Sequence, residues 1–308
     1  MQEPRRLEKP WVWLLVIVLV TFGLYTPSFW DGYTYDDNVY VKVPSAEGQP
    51  NQMVGELKPV AEYWSSWYGE GMGKFGRGYR PMTVLSYALV QRGFRVEDPA
   101  VTTGYSCSAA YHHIVNVLLH CLALVAVYWI VVLFLGQGIP ALVAAAVFGL
   151  HALRSDPVIS MVGRAEVLGF LFGATALLLY MAALRRGERV RWLLLPAALA
   201  VFLAFSSKES AVAWAVFIPL AVVALGWQSP QQAQSLLGIR AQALAALLTM
   251  GVVLLVWFLL RGQVLAELAA DPSHMKFDVA YESNPLFRTP FWERALSGTM
   301  ILAFGLYK

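Results

Sequence analysis

Charge is scarce in this sequence. Of 308 residues only 14% are Asp, Glu, Lys or Arg, against 58% hydrophobic, which excludes an ordinary water-soluble domain. The net charge of +3 is too small to argue for nucleic acid as a partner. Cysteine is nearly absent as well. Cys107 falls in a polar connection and Cys121 more than two turns inside a helix, so no disulfide is expected and the redox compartment stays open. No small-residue cleavage site follows the first apolar run, only the bulky "PSFWDGY", so that run reads as a retained anchor rather than a signal peptide. An internal repeat is also lacking, which counts against a transporter built from paired halves.

The dominant feature is a series of long apolar runs. A spanning helix needs about 20 mostly apolar residues. Windows that meet or approach this length lie near residues 11–30, 113–135, 139–153, 165–184, 192–205, 210–227 and 240–260. An eighth begins near Ala295, and the chain reads as truncated at Lys308 before that span is complete. The expected fold class is an all-α polytopic membrane protein, with residues 1–308 as one multi-span domain in the lipid bilayer.

Arginine sets the expected orientation. Arg185, Arg186, Arg189 and Arg191 crowd one short connection, and Arg5, Arg6 and Lys9 precede the first span; both sites are cytoplasmic by the positive-inside rule. The non-cytoplasmic connections are then residues 31 to about 110, "HALRSDPVISMVGR", "SSKES" and the stretch from Arg261 to about Arg294. Nearly every unusual polar residue falls on that one face, which suggests a single site built from several loops.

The first external loop carries Asp36 and Asp37 side by side in "TYDDNVYV", among Tyr33, Tyr35 and Tyr40. Two adjacent carboxylates there bind a cation, act as a general base, or face water in a turn. Trp64, Trp67 and Tyr68 either stack on sugar rings or anchor the loop at headgroup level. "MTVLSYALVQR" has helical spacing, with Pro81 suited to its first turn. Further on, Asp156 is expected to cap a helix opening at Pro157, while Arg154 and Arg164 flank that helix as two guanidinium groups able to grip a phosphate. In "SSKES", Ser206 and Glu209 fit a capping box, and Lys208 is free either to snorkel or to meet an anion at the helix start. His113, Asn116 and His120 in "YHHIVNVLLH" read as a polar seam between helices. His113 and His120, about 10 Å apart along the axis, do not ligate one ion by themselves.

"YDDNVYV", "YRPMTVLSYAL", "YHHIVNVLLH", "HALRSDPVISMVGRAEVLGFLF" and "SKES" occur in the order seen in the transmembrane O-mannosyltransferases that carry tetratricopeptide repeats and modify cadherins. "ESNPLFRTPFWERALSGTMILAFGLYK" is similar to a later region of that family, so the resemblance covers almost the whole chain. It implies a C-type glycosyltransferase fold and a polyprenyl-phosphate sugar as donor and co-substrate. It implies transfer of a sugar, mannose foremost, to a protein Ser/Thr hydroxyl or a glycan, with inversion. Asp36 or Asp37 would be the catalytic base, with a slight lean to Asp36, and Arg80, Arg164 and Lys208 would face the departing phosphate. His151, Arg154, Asp156 and Glu209 would support them. No metal ligand set is indicated, although a divalent ion at the phosphate stays open.

The family usually shows His-Pro-x-His-Thr/Ser-Glu where this chain has "HALRSD", so the roles of the second histidine and of a glutamate arm do not carry over. The repeat domain is absent from these residues. The membrane would be a bacterial plasma or inner membrane, or the endoplasmic reticulum of a eukaryote, with the site on the non-cytoplasmic face. A noncatalytic scaffold or a transporter is the alternative class.

Overall fold

The computed structural model describes residues 9–43, 52–70, 78–98, 105–152, 155–186, 192–227 and 236–270, with 290, 292–293 and 296–297. Its residues divide into two units, Met1–Leu265 and Ala266–Lys308, and everything that positions the site lies in the first. In the second, the described positions are the end of the last long helix and two helical pairs at 292–293 and 296–297. The eighth span expected from Ala295 otherwise lies outside the described residues.

The protein is an all-α polytopic membrane protein. Among the described residues, four helical segments are long and apolar enough to cross a membrane: Pro10–Trp30, Ala109–Leu135, Arg164–Leu184 and Gln242–Leu268. Three shorter apolar helices, Gly138–Leu150, Leu194–Phe205 and Glu209–Leu225, lie between them. All seven runs read from the sequence are therefore helical. The shortest two, at 12 and 13 residues, rise only about 20 Å.

In chain order, α1 is Pro10–Tyr25, extended by a 3-10 turn over Thr26–Trp30. Among the described residues, the connection after α1 folds as three short helices, α2 (Asp37–Tyr40), α3 (Gln52–Gly55) and α4 (Val60–Trp64), followed by the longer α5 (Pro81–Phe94). A two-residue hairpin pairs Val96–Glu97 with Tyr105–Ser106. Then come α6 (Ala109–Leu135), α7 (Gly138–Leu150), α8 (Ser155–Ile159), α9 (Arg164–Arg186) and α10 (Leu194–Phe205). A 3-10 turn over Glu209–Ala213 leads into α11 (Trp214–Trp227), and α12 is Leu236–Ala270.

Local chemistry sets the ends of these elements. Pro81 opens α5, as expected, because its missing N–H is an orphan at that position anyway. Ser108 caps α6, accepting from the Ala110 N–H at 3.4 Å. Gly136 closes α6 in the left-handed region at φ 65°, its N–H returning to the Val132 carbonyl. Cys107 and Cys121 are both free.

Small residues let the helices approach closely. Along α10, Ala197, Ala200, Val201, Ala204 and Phe205 are buried at helical spacing, while Leu195 on the other side is 77% exposed. An apolar helix that turns leucine outward and alanine inward is suited to lipid as its solvent. Leu124, Ala141, Leu142 and Ala145 pack with Leu14 and Ile17 where α1, α6 and α7 meet. The connection between α1 and α6 has its own small core, in which Val41, Val54, Tyr63, Tyr68 and Tyr87 come together with Met161. Trp64 belongs to the larger core and stacks on Phe202, with ring centroids 6.3 Å apart, and Tyr68 stacks on Tyr40 at 4.4 Å. Tyr68 is also among the residues that line the cavity described below.

Candidate active site

The turn that opens α2, the segment leading into α5, the starts of α8 and α9 and the connection after α10 line a cavity of about 380 Å³. Asp36, Tyr40, Arg80, Asp156, Glu166 and Lys208 are among its lining residues. Four of the nine residues singled out from the sequence thus share one cavity although they come from four separate segments. A second chamber of about 190 Å³, walled by Phe148, Phe170 and Trp214, shares Pro157, Glu166 and Lys208 with the first.

The two neighbouring carboxylates differ sharply. Asp36 is exposed and lines the cavity. Asp37 is 1% exposed; its Oδ1 accepts the Val162 N–H at 3.0 Å and its Oδ2 accepts from the Thr34 hydroxyl at 3.1 Å. Burial raises the Asp37 pKa above its ordinary value, and the Val162 and Thr34 donors only partly oppose this. Between Thr34 and Asp36, Tyr35 is held at φ 38° with its side chain in the open, 94% exposed.

Arg80 and Lys208 each face a carboxylate. Arg80 Nε donates to Glu209 Oε2 at 3.0 Å and its guanidinium lies over the Tyr68 ring at 4.9 Å. Burial lowers the Arg80 pKa, but Glu209, with Tyr68 and Tyr87, outweighs it and the net shift is upward. Glu209 also accepts the Tyr79 N–H at 3.1 Å. The capping box expected from Ser206 and Glu209 therefore does not form: the glutamate reaches across to Arg80 and Tyr79, and Lys208 sits at the N-cap without a side-chain cap bond. Further ties join the same two loops, from the Met82 N–H to the Ser206 carbonyl and from the Thr83 hydroxyl to the Ser207 carbonyl. Lys208 pairs with Glu166.

Arg164 is placed elsewhere. It is 0% exposed, and its guanidinium donates to Asn116 Oδ1 at 2.6 Å, to the Ser86 carbonyl at 3.3 Å and to the His112 carbonyl at 2.9 Å. It does not line the cavity. The seam expected along α6 is present in part: Asn116 bonds to Arg164 and to the Val158 and Ser160 carbonyls, and His120 Nε2 meets the Gly149 carbonyl at 3.3 Å, whereas neither ring nitrogen of buried His113 has a hydrogen-bond partner among the described residues. Asp156 lies inside the first turn of α8, which begins at Ser155 rather than Pro157. His151 follows α7 at an exposed position outside the cavity lining, and Arg154 lies outside the described residues. Gly163 is where α8 and α9 nearly touch, since a Cβ there would stand 2.6 Å from the Pro157 Cα. Glu166 was not foreseen as part of the site; a lone carboxylate in the first turn of a span was the available signal.

Fold and site together define a polytopic membrane protein whose cavity gathers three exposed carboxylates, Asp36, Asp156 and Glu166, with two cationic side chains, Arg80 and Lys208. Comparison with known proteins adds a relationship. The chain is 30% identical over 129 residues to human Protein O-mannosyl-transferase TMTC1, covering 41% of this chain and 13% of that protein. It is 26% identical over 294 residues to Protein O-mannosyl-transferase Tmtc2 of Drosophila melanogaster, covering 93% of this chain and 28% of that protein. Human Protein O-mannosyl-transferase TMTC3 is 25% identical over 190 residues, 62% of this chain and 19% of the relative. The chain thus spans well under a third of the length of these relatives. No family model and no solved structure matches. These similarities support kinship with the O-mannosyltransferases and a glycosyltransferase role.

Proposed function

We propose that the protein transfers mannose from a polyprenyl-phosphate donor to a Ser/Thr hydroxyl of a protein, on the non-cytoplasmic face of the membrane and with inversion. The observation that carries this reading is the exposed carboxylate of Asp36 in the same cavity as Arg80 and Lys208. Asp36 takes the proton of the acceptor hydroxyl while that oxygen bonds to the anomeric carbon. The bond from that carbon to the phosphate oxygen breaks on the opposite side. Arg80 and Lys208 offset the charge left on the lipid phosphate. A positioned base of this kind is typically worth 10²–10⁴-fold.

Asp37 acts differently in this scheme. It anchors the acid turn from below and leaves the chemistry to its neighbour. Donor phosphate would compete with Glu166 for Lys208 and with Glu209 for Arg80, so both cations are held in place before it arrives. The aromatic chamber beside Lys208 suits the first isoprene units of the donor lipid. The test is an in vitro transfer assay with purified protein, labelled polyprenyl-phosphate mannose and a panel of Ser/Thr peptides and glycans. Label appearing in a peptide, and lost with Asp36→Asn, supports the reading. No transfer to any acceptor favours the noncatalytic scaffold.

A further inference from the structure

The cavity floor is the connection between α8 and α9, whose Ser160, Val162 and Gly163 line it. Three side chains hold the backbone of this connection and of the end of α8. Asn116 Nδ2 donates to the Val158 carbonyl at 3.2 Å and to the Ser160 carbonyl at 3.0 Å. The Tyr87 hydroxyl donates to the Met161 carbonyl at 3.2 Å. Asp37 accepts the Val162 N–H. Asp37 belongs to the turn that carries Asp36, so the floor and the acid turn are joined.

Arg164 decides which way the Asn116 amide points. A guanidinium has donors only, so Asn116 Oδ1 must face Arg164 Nε, and the NH₂ group is left to face the two floor carbonyls. Arg164 is itself fixed by the Ser86 carbonyl of α5 and the His112 carbonyl of α6, with its guanidinium 4.9 Å above the Tyr87 ring. Burying an arginine among helices is expensive where apolar contact would hold them as well. What this arrangement supplies is a fixed geometry for backbone that lines the cavity.

We infer that Arg164 and Asn116 are positioning residues for the transfer proposed above: without touching donor or acceptor, they keep the cavity floor and the Asp36 turn in register. This rests on that functional reading and goes beyond it. It also reverses the phosphate-binding role that the sequence suggested for Arg164.

Asn116→Asp separates positioning from folding. The new carboxylate keeps its bond to Arg164 but has no hydrogens for the Val158 and Ser160 carbonyls. Purified variants are assayed with labelled polyprenyl-phosphate mannose and a Ser/Thr peptide that the parent modifies. Asn116→Asp and Arg164→Lys should each lose about 10-fold or more in kcat, since misplacement by about 1 Å costs as much as 10²-fold. Donor KM should stay within about twofold, whereas Lys208→Met raises it. Hydrogen exchange followed by mass spectrometry should show residues 158–163 and 34–40 loosening together in Asn116→Asp. Parental kcat in both variants would overturn the inference, as would a raised donor KM with kcat intact, or faster exchange confined to 158–163. If the parent transferred no mannose, the functional reading would fall by itself, and the exchange result would still decide whether Asn116 couples floor to acid turn.

Discussion

Asp37 Oδ1 accepts the Val162 N–H at 3.0 Å across 125 residues of chain. That bond gives the two adjacent carboxylates unequal work: it fixes Asp37 in the interior and leaves Asp36 at the cavity surface. The account of the site follows from this division.

Stability should fall with rising pH through Asp37. Its pKa is raised in the fold by burial, so the folded state holds this proton more tightly than the unfolded chain does. The group's contribution is fully present below the ordinary value of 3.8 and is lost as pH rises through the higher folded value. Thermal midpoints of parent and Asp37→Asn, measured in detergent from acid to neutral pH, should show the parent losing ground to the variant over that window. Parallel curves would contradict the assignment.

Arg80→Met and Lys208→Met should raise the donor KM more than they lower kcat. Lost charge-assisted bonds of ~1.5–3 kcal/mol correspond to roughly 10- to 100-fold. Glu209→Gln should do less to stability than a buried pair would, because Arg80 and Glu209 are each about a quarter to a third exposed (25% and 30%) and such pairs are worth ~1 kcal/mol or less. Steady-state kinetics with the labelled donor decide the first point and thermal denaturation the second.

Much of this arrangement was legible in the sequence, for a physical reason. The seven helices announce themselves because lipid demands apolar runs whatever the fold around them. Asp36, Arg80 and Lys208 could be assigned to one face because span parity and arginine bias fix the loops. The sequence leaned only slightly to Asp36 over Asp37, and the burial of Asp37 was not legible, since it depends on the Val162 N–H far along the chain. The burial of Arg164 was hidden for the same reason: it follows "VG" at the start of a span, where a guanidinium able to grip a phosphate is the local reading, and only its partners on α5 and α6 turn it inward. The Ser206/Glu209 capping box was a sound local inference, defeated by Arg80 from another loop.

Tyr35→Asn should stabilise the protein. Tyrosine in the left-handed region at φ 38° carries strain of ~1–2 kcal/mol, and asparagine tolerates that region better. The ring is almost wholly exposed, so little packing is lost. A rise in thermal midpoint equivalent to about 0.5–1 kcal/mol is expected; a fall would mean that the ring makes contacts in the membrane-bound protein.

The proposed sidedness has a direct check. Cysteines introduced at Gly48 and Gly187 should react with an impermeant thiol reagent from opposite sides of a sealed membrane, because the arginines around Gly187 resist translocation. Labelling of both from one side would reverse the orientation assigned to the cavity.

The most direct measurement is the turnover of Asp36→Asn beside its binding of the donor. Asparagine keeps the size of the side chain and removes its basicity. The account predicts a kcat lowered by ~10²-fold or more with donor affinity retained. Asp37→Asn should lose less turnover, with its buried hydrogen bonds disturbed at ~1–3 kcal/mol of stability. Parental turnover in Asp36→Asn, measured on the same purified protein and the same labelled donor, would contradict the claim that this carboxylate is the base.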